Sequence, residues 1–402
     1  MRVGVLGAGV MGVSVSMLLA RAGVSVTLFD EAEAPLQGAS RWNEGKIHLG
    51  FLYAADPTLQ TARSVIEGGV TFAPLMRELI GQNLPDVTAT DDLYLVHRNS
   101  VVSAEDAGAY YRRVSEIVRD HPHANAYLSD ASSASIGTLS ASEISAIADP
   151  SSVVAGFSCP ERSVSTRALS DLLTEAAQSE NLIEQRLGAH VLAVTPQDGS
   201  SGPWRVSWRA GEEAQSEAFD IVLNALWHGR IAVDETANMQ IAPGWSHRYR
   251  VSAFVRTRRV HPDLPSAVVA TGPFGDVKNY NGRDFYVSWY PAGLLAESEG
   301  LLPPAINLAA LDRAQVQARI ESGLSAVLPW VKVIFADAEK VEIEGGYVFA
   351  MGKGALDDPR ATVHRRDRFG IARRGNYISI DTGKYSSAPL LATRVASAIL
   401  GA

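Results

Sequence analysis

The stretch GAGVMG at residues 7–12 follows the apolar run RVGVL and leads into VSVSMLLARAG, whose apolar residues recur with helical spacing. Gly7 permits a tight turn, Gly9 lets backbone amides approach a pyrophosphate, and Gly12 lets the helix pack closely on its strand. The helix N-terminus adds amide donors and a positive dipole. Asp30 ends the next apolar run, VSVTLFD, 18 residues after Gly12, where a carboxylate accepts from a ribose hydroxyl. These residues predict a dinucleotide site, with NAD and FAD both open at this point.

A second chemical cluster is SRWNEGKIHLGFLYA, residues 40–54, too polar for a core strand and too apolar for a free loop. Its small residues let backbone amides reach a ribityl chain, while Asn43 and Lys46 offer polar groups that fix a flavin's orientation. An NAD dehydrogenase would instead continue with further strand and helix units. His48 is a candidate base, taking a proton from a substrate hydroxyl or amine as hydride leaves. A structural histidine bonded to a backbone carbonyl is the alternative. No HExxH, calcium-spaced carboxylate loop or cysteine set occurs, so no metal site is expected.

The elements that must position these groups have two textures. The strand, turn, helix and strand unit at the N-terminus returns as an α/β pattern in the helix ALSDLLTEAAQSE (168–180), the strands HVLAVTP and WRVSWRA, and the buried strand FDIVLNAL (219–226). Between them DDLYLVHR (91–98), RYRVSAFVRTR (248–258), SAVVATG (266–272) and DFYVSWYP (284–291) alternate like antiparallel strands of an interleaved second domain. The Ser/Ala-rich residues 128–145 read as a surface connection with some helix.

At 402 residues, with 46% hydrophobic and 20% charged residues, the chain is long enough for one large or two interwoven domains. A net charge of −8 disfavours nucleic acid as a partner. The lone cysteine, Cys159, excludes an internal disulfide and is compatible with a reducing, cytoplasmic setting. The N-terminal apolar run leads straight into another strand and is read as folded core, so no membrane span is expected.

With these motifs in order, the chain resembles the D-amino-acid oxidase-like superfamily of FAD-dependent oxidoreductases. The resemblance is carried by Gly7, Gly9, Gly12 and Asp30, by SRWNEGKIHLGFLY, by SVSTRAL (163–169), by DIVLNAL (220–226) and by YISIDTGKYSSAPLLATRVASAIL (377–400). The pattern of Asn43, Gly45, Ile47, His48, Gly50 and Tyr53 is similar to the L-2-hydroxyglutarate oxidase branch. The resemblance implies an α/β fold with a Rossmann-like FAD-binding domain at 1–75, 150–245 and 345–402. An antiparallel-sheet substrate domain is implied at 76–149 and 246–344. It also implies a cofactor-binding set of Gly7, Gly9, Val10, Met11, Gly12, Asp30, Glu31, Ser40, Asn43, Gly45, Lys46, Ile47, Val191, Asn224, Ala225, Gly383, Lys384 and Tyr385. Gly383 and Lys384 would lie near the flavin O2 and N1, where a helix beginning at Ser387 or Pro389 directs its dipole at the charge of the reduced ring. Trp227 and His228 depart from the small turn usual in the family, and either line the pocket or crowd its adenosine side. Covalent attachment of the flavin would fall to His48 or Cys159.

Superfamily substrates usually carry a carboxylate beside the oxidised carbon, which calls for an Arg or a Tyr pair. Arg248 and Arg250 share one strand face, read as solvated, with Tyr249 and Val251 on the other. Tyr249, Tyr286, Trp289 and Lys278 are pocket candidates on the sheet, and Arg365 is the candidate anion contact in the run of His364, Arg365 and Arg366. The expected activity is FAD-dependent hydride abstraction from a carbon bearing an amine or hydroxyl, catalysed with His48 and Lys384. Oxygen or another acceptor would reoxidise the flavin. Rival readings are an NAD-dependent dehydrogenase and a non-catalytic flavoprotein.

Overall fold

The strand Arg2–Leu6 pairs in parallel with Ser25–Phe29 on one side and with Ile221–Asn224 on the other. Leu6 stands opposite both Phe29 and Asn224, so the chain leaves all three strands at one level, through Gly7, Asp30 and Ala225. The carboxyl ends of adjacent parallel strands are where open α/β sheets bind ligands. In the computed structural model, which describes residues 1–197 and 202–401, this sheet has six strands. Their order is Gly370–Arg374, Tyr377–Asp381, Ile221–Asn224, Arg2–Leu6, Ser25–Phe29 and Ile183–Arg186, antiparallel only at the edge hairpin. The helices Val10–Arg21 and Ala388–Leu400 pack together on one face.

The opposite face is covered by a three-stranded antiparallel sheet of Ala189–Pro196, Trp204–Ala210 and Glu213–Phe219. HVLAVTP and WRVSWRA therefore form a separate meander and do not extend the α/β sheet. Trp204, Trp208 and Phe219 supply a buried aromatic layer against Phe29 and Leu6, which holds the meander in place.

A nine-stranded sheet forms the second layer. Its long strand Ser246–Thr257 pairs along its length with Ala338–Ala350, and its other edge is shared by Leu294–Ser298 and Asp284–Trp289. Gly275–Asn279, Ala267–Ala270, Asp92–His97, Val153–Cys159 and Gly137–Thr138 complete it. Ala267–Ala270 runs parallel to Asp92–His97, against the antiparallel expectation. Two strands cross the sequence-based divisions. Val153–Cys159 pairs with Asp92–His97 inside the large sheet, and Ala338–Ala350 continues past residue 344. The Ser/Ala-rich connection contains the helix Ala141–Ile147, begun by a reciprocal cap between Ser140 and Glu143. Among the described residues no helix is long and apolar enough to cross a membrane.

Where the layers meet, four charged groups are buried together. Asp92 accepts from Lys46 and, at 2.7 Å, from Lys278; Glu161 lies 3.3 Å from Lys46, accepts from the Tyr94 hydroxyl and takes the Leu49 amide at 2.6 Å. Two cations and two anions, each with hydrogen bonds, meet the condition under which buried charge is tolerated. The set ties residues 46–49 to the large sheet.

Candidate active site

One cavity of about 970 Å³ runs between the layers, at the upper end of the range for small-molecule sites. It is lined from Gly7, Gly9, Asp30 and Glu31 at one end to His48, Arg250, Arg366 and Lys384 at the other. Among the residues lining it, His48 Nδ1, Tyr53 OH, His228 Nδ1, Arg250 Nε and Tyr385 OH are buried polar atoms with no hydrogen-bond partner in the protein. Such atoms are costly unless a bound molecule satisfies them.

At the first end Gly7 has φ +97°, and a Cβ on Gly12 would stand 1.8 Å from the Gly7 carbonyl oxygen, so the turn and the helix close only with glycine at both positions. Asp30 organises the backbone: its two oxygens accept from Ala8 N at 2.6 Å and Ala32 N at 2.9 Å. Burial raises the Asp30 carboxyl above its ordinary value against these two bonds. Val10, Met11, Glu31, Ser40, Val191 and Ala225 also line the cavity, with Glu31 held 2.9 Å from His190 and Ser40 Oγ accepting from Val10 N at 2.9 Å. Trp227 and His228 line this wall too. The Trp227 indole donates to the Tyr347 carbonyl at 2.8 Å, and His228 stacks on the Tyr347 ring at 4.1 Å. Burial pushes His228 down to about 4, so it stays neutral. Asn224 lies beneath the wall, donating to Asp234 Oδ1 and the Arg230 carbonyl at 2.9 Å each. Its predicted role as a cofactor contact is corrected: it ties strand to helix.

In the second cluster, Asn43 accepts from Gly45 N at 2.8 Å and donates to the Ala39 carbonyl at 2.8 Å, bracing the turn. Gly45 has φ +63° and its Cβ position lies 1.8 Å from the Val164 carbonyl oxygen. Gly12, Gly45 and Ile47 are off the cavity surface, so they shape the wall without touching a ligand. His48 is buried and lines it; burial, and then Lys384, hold it well below its ordinary value as a neutral base. Lys46 lines it as well, and its cation is kept by Asp92 and Glu161 against the burial that opposes it.

The strand Tyr377–Asp381 delivers Gly383, Lys384 and Tyr385 to the same wall. Gly383 takes φ +61° and donates its amide to Asp381 Oδ1 at 2.9 Å, which aims the turn. Lys384 Nζ lies 5.3 Å from the Tyr53 ring centroid, and burial followed by Arg366 pushes it down to about 7. Glu44, absent from the sequence-based set, lines the cavity beside it. Burial works to raise its carboxyl, yet Lys384, followed by a backbone hydrogen bond and by Arg250, leaves it below the usual range.

The substrate-side expectations change most. Arg248 and Arg250 face the cavity and not bulk water; Arg248 bonds Glu297 at 2.9 Å, and Arg250 lies 4.6 Å from the Tyr290 ring centroid. Tyr249, on the opposite face of the same strand, packs in the core under the sheet with Val251. Tyr286 is buried away from the cavity, with Ser252 donating to its hydroxyl at 2.9 Å. Trp289 packs with that core, and Lys278 is consumed by Asp92. Arg365 is exposed and pairs with Asp367 at 2.7 Å, whereas its neighbour Arg366 lines the cavity. His364 lines it too, bonded to the Asp358 carbonyl at 2.9 Å. Cys159 is buried outside the cavity wall, with its thiol pushed up by burial, and is no attachment point for a cofactor.

Residues 2–329 match the family profile described as FAD dependent oxidoreductase. The chain belongs to that family. FAD is its cofactor, and the orphaned polar atoms and glycine-lined turn fit it. No curated protein matches the sequence. The fold is shared with solved structures: glycine oxidase from Geobacillus kaustophilus has a TM-score of 0.69 at 15% identity, covering 100% of this chain and 95% of that one. Iminodiacetate oxidase from Chelativorans sp. BNC1 gives 0.67 at 15%, covering 100% and 95%. L-alpha-glycerophosphate oxidase from Mycoplasma pneumoniae, solved with FAD bound, gives 0.63 at 16%, covering 100% and 94%.

Proposed function

We propose that this family member oxidises a small carboxylate-bearing amine, taking hydride from the carbon attached to nitrogen. The observation that carries the reading is Arg366, which lines the same cavity as Lys384 and His48 and has no protein carboxylate within 4.0 Å among the described residues. Its guanidinium holds the substrate carboxylate and so fixes the neighbouring carbon. The cationic Arg366 and Arg250 and the buried wall disfavour a bound ammonium, so the amine sits as its free base. Neutral His48 accepts the proton that leaves nitrogen as the C–H bond breaks and a C=N bond forms. Bound FAD supplies the two-electron acceptor, returned to its oxidised form by oxygen or another acceptor.

In this reading the adenosine and pyrophosphate lie along Gly7, Gly9, Val10, Met11, Asp30 and Glu31, and the ring lies toward Lys46, His48, Gly383, Lys384 and Tyr385. The naming of two fold relatives as glycine and iminodiacetate oxidases supports the amine. The pattern from Asn43 to Tyr53 favours a 2-hydroxy acid as the second reading. Anaerobic bleaching of the flavin by matched amino and 2-hydroxy acids separates them. Amines should bleach it with a rate that rises with pH through their ionisation, and Arg366→Met should cut kcat/KM by about 100-fold. Bleaching by hydroxy acids alone overturns the amine, and no bleaching by any compound leaves a flavoprotein without this chemistry.

A further inference from the structure

The turn that follows the strand Ile221–Asn224 stands against the glycine turn of the nucleotide end: a Cβ on Gly7 would meet the Ala225 carbonyl oxygen at 2.7 Å and Leu226 Cα at 3.1 Å. Next in this turn, Trp227 takes φ +54°, a left-handed backbone that a bulky side chain rarely adopts. Such an outlier persists only where its surroundings hold it, and it points to a role. Here the hold comes from the other layer. The Trp227 indole donates to the Tyr347 carbonyl at 2.8 Å and stands edge-on to Phe349, with ring centroids 6.0 Å apart.

The consequence of this bend falls on His228. Its imidazole stacks on the Tyr347 ring, 23° from parallel with centroids 4.1 Å apart. Tyr347 is itself fixed, donating its hydroxyl to the Pro304 carbonyl at 2.6 Å and meeting the Tyr249 ring edge-on at 4.7 Å. A side chain held this firmly normally has its polar atoms satisfied. His228 Nδ1 is instead buried with no partner in the protein, and the residue lines the cavity. The carboxylate that acts on both His228 and Tyr347 is Glu31, the neighbour of Asp30. Burial keeps the imidazole neutral, so Nδ1 accepts from a hydroxyl or amine or, in the other tautomer, donates to a ring nitrogen. Such a group suits a sugar or a purine edge better than a phosphate, which calls for charge.

We propose that His228 is a cofactor contact: its Nδ1 hydrogen-bonds the adenosine half of FAD, and Trp227 and Tyr347 are the residues that position it. This inference rests on the placement of adenosine at the Gly7 end and not on the identity of the substrate. It adds to the glycine turn a contact braced from the second layer, where a small turn would offer no side chain.

The test needs no turnover. Release of FAD from the loaded protein is followed after dilution by the fluorescence the flavin regains, and the FAD-free chain is titrated with ADP, which carries the adenosine without the flavin. His228→Leu should release FAD about 10-fold faster and weaken ADP by the same factor, the value of one hydrogen bond to a buried group. Thermal melts give a readout of opposite sign: FAD-free His228→Leu should melt no lower than the parent, because the unpartnered nitrogen is gone. His228→Gln, which keeps a donor and an acceptor, should recover part of the affinity. Trp227→Gly suits the backbone at φ +54° but removes the brace, and should speed FAD release with ADP weakened in step. Unchanged FAD release and ADP affinity in His228→Leu overturns the inference. So does faster FAD release with ADP untouched, which places the effect at the flavin ring. An FAD-free melt that falls along with affinity in His228→Leu, without rescue by His228→Gln, makes this a structural histidine and also overturns it. A flavin that no substrate bleaches, with these affinities as expected, sinks the oxidation reading and leaves the contact standing.

Discussion

At one end of the cavity Gly7, Gly9, Val10, Met11 and Asp30 all come from residues 7–30; at the other, Lys46, His48, Arg250, Arg366 and Lys384 come from four separate segments in two layers. The first end is fixed by turn geometry and two backbone bonds to Asp30. The second depends on sheets held together by buried ion pairs. A binding site that is local in sequence tolerates trouble elsewhere in the molecule, whereas a site assembled from distant strands inherits the stability of the whole interface.

The sharpest way to break this contrast is at the local end. Gly12→Ala places a Cβ against the Gly7 carbonyl oxygen, at 1.8 Å before relaxation, and should abolish FAD retention, read from the visible absorbance after gel filtration. Retention of full flavin would mean that the turn is not what holds the dinucleotide. At the assembled end, Asp92→Ala leaves Lys46 and Lys278 facing each other without their shared anion. The loss should be about 3–5 kcal/mol in denaturant unfolding of the FAD-loaded protein. A loss under about 1 kcal/mol would show the network to be dispensable.

A smaller effect is expected from Lys384, and it has a direction. Burial and Arg366 hold it at about 7, against 10.5 for an ordinary lysine. Between those values the unfolded chain binds a proton that the folded cavity refuses, so unfolding takes up a proton and stability rises with pH across that window. Thermal melts of FAD-free protein from pH 7 to 10 should rise less steeply in Lys384→Met than in the parent; parallel curves would place this lysine at its ordinary value. Arg365→Ala should change least, with the thermal melt and kcat/KM both unaltered, because its guanidinium is exposed in its ion pair with Asp367.

The sequence disclosed the local end almost completely, since strand, tight turn, helix and acid are spaced by short-range geometry. The cofactor and family were legible for the same reason, together with the C-terminal turn at Gly383. The substrate end was less legible. Period two placed Arg248 and Arg250 on one face, opposite Tyr249 and Val251, but only the stacking of the two layers decides which face meets water. Arg366 was visible only as part of a charged run, and the neighbour Arg365 was preferred; a one-residue difference turns a side chain from solvent to cavity. Glu44 had no pattern to mark it. Its role depends on Lys384 and Arg250, which are more than 200 residues away.

The ion-pair cluster around Asp92 also limits how the two layers can part. A hinge that swung the large sheet away from the nucleotide-binding sheet would pull Lys46 from Asp92 and Glu161 in a water-free interior, at a cost of several kcal/mol. The two layers therefore stay clamped while molecules exchange. Outside those charged contacts the cavity is lined by Leu302, Pro303, Ala305 and Leu356, and there Leu302 is 65% exposed, so the cavity meets solvent at an apolar loop and not at the ion pairs.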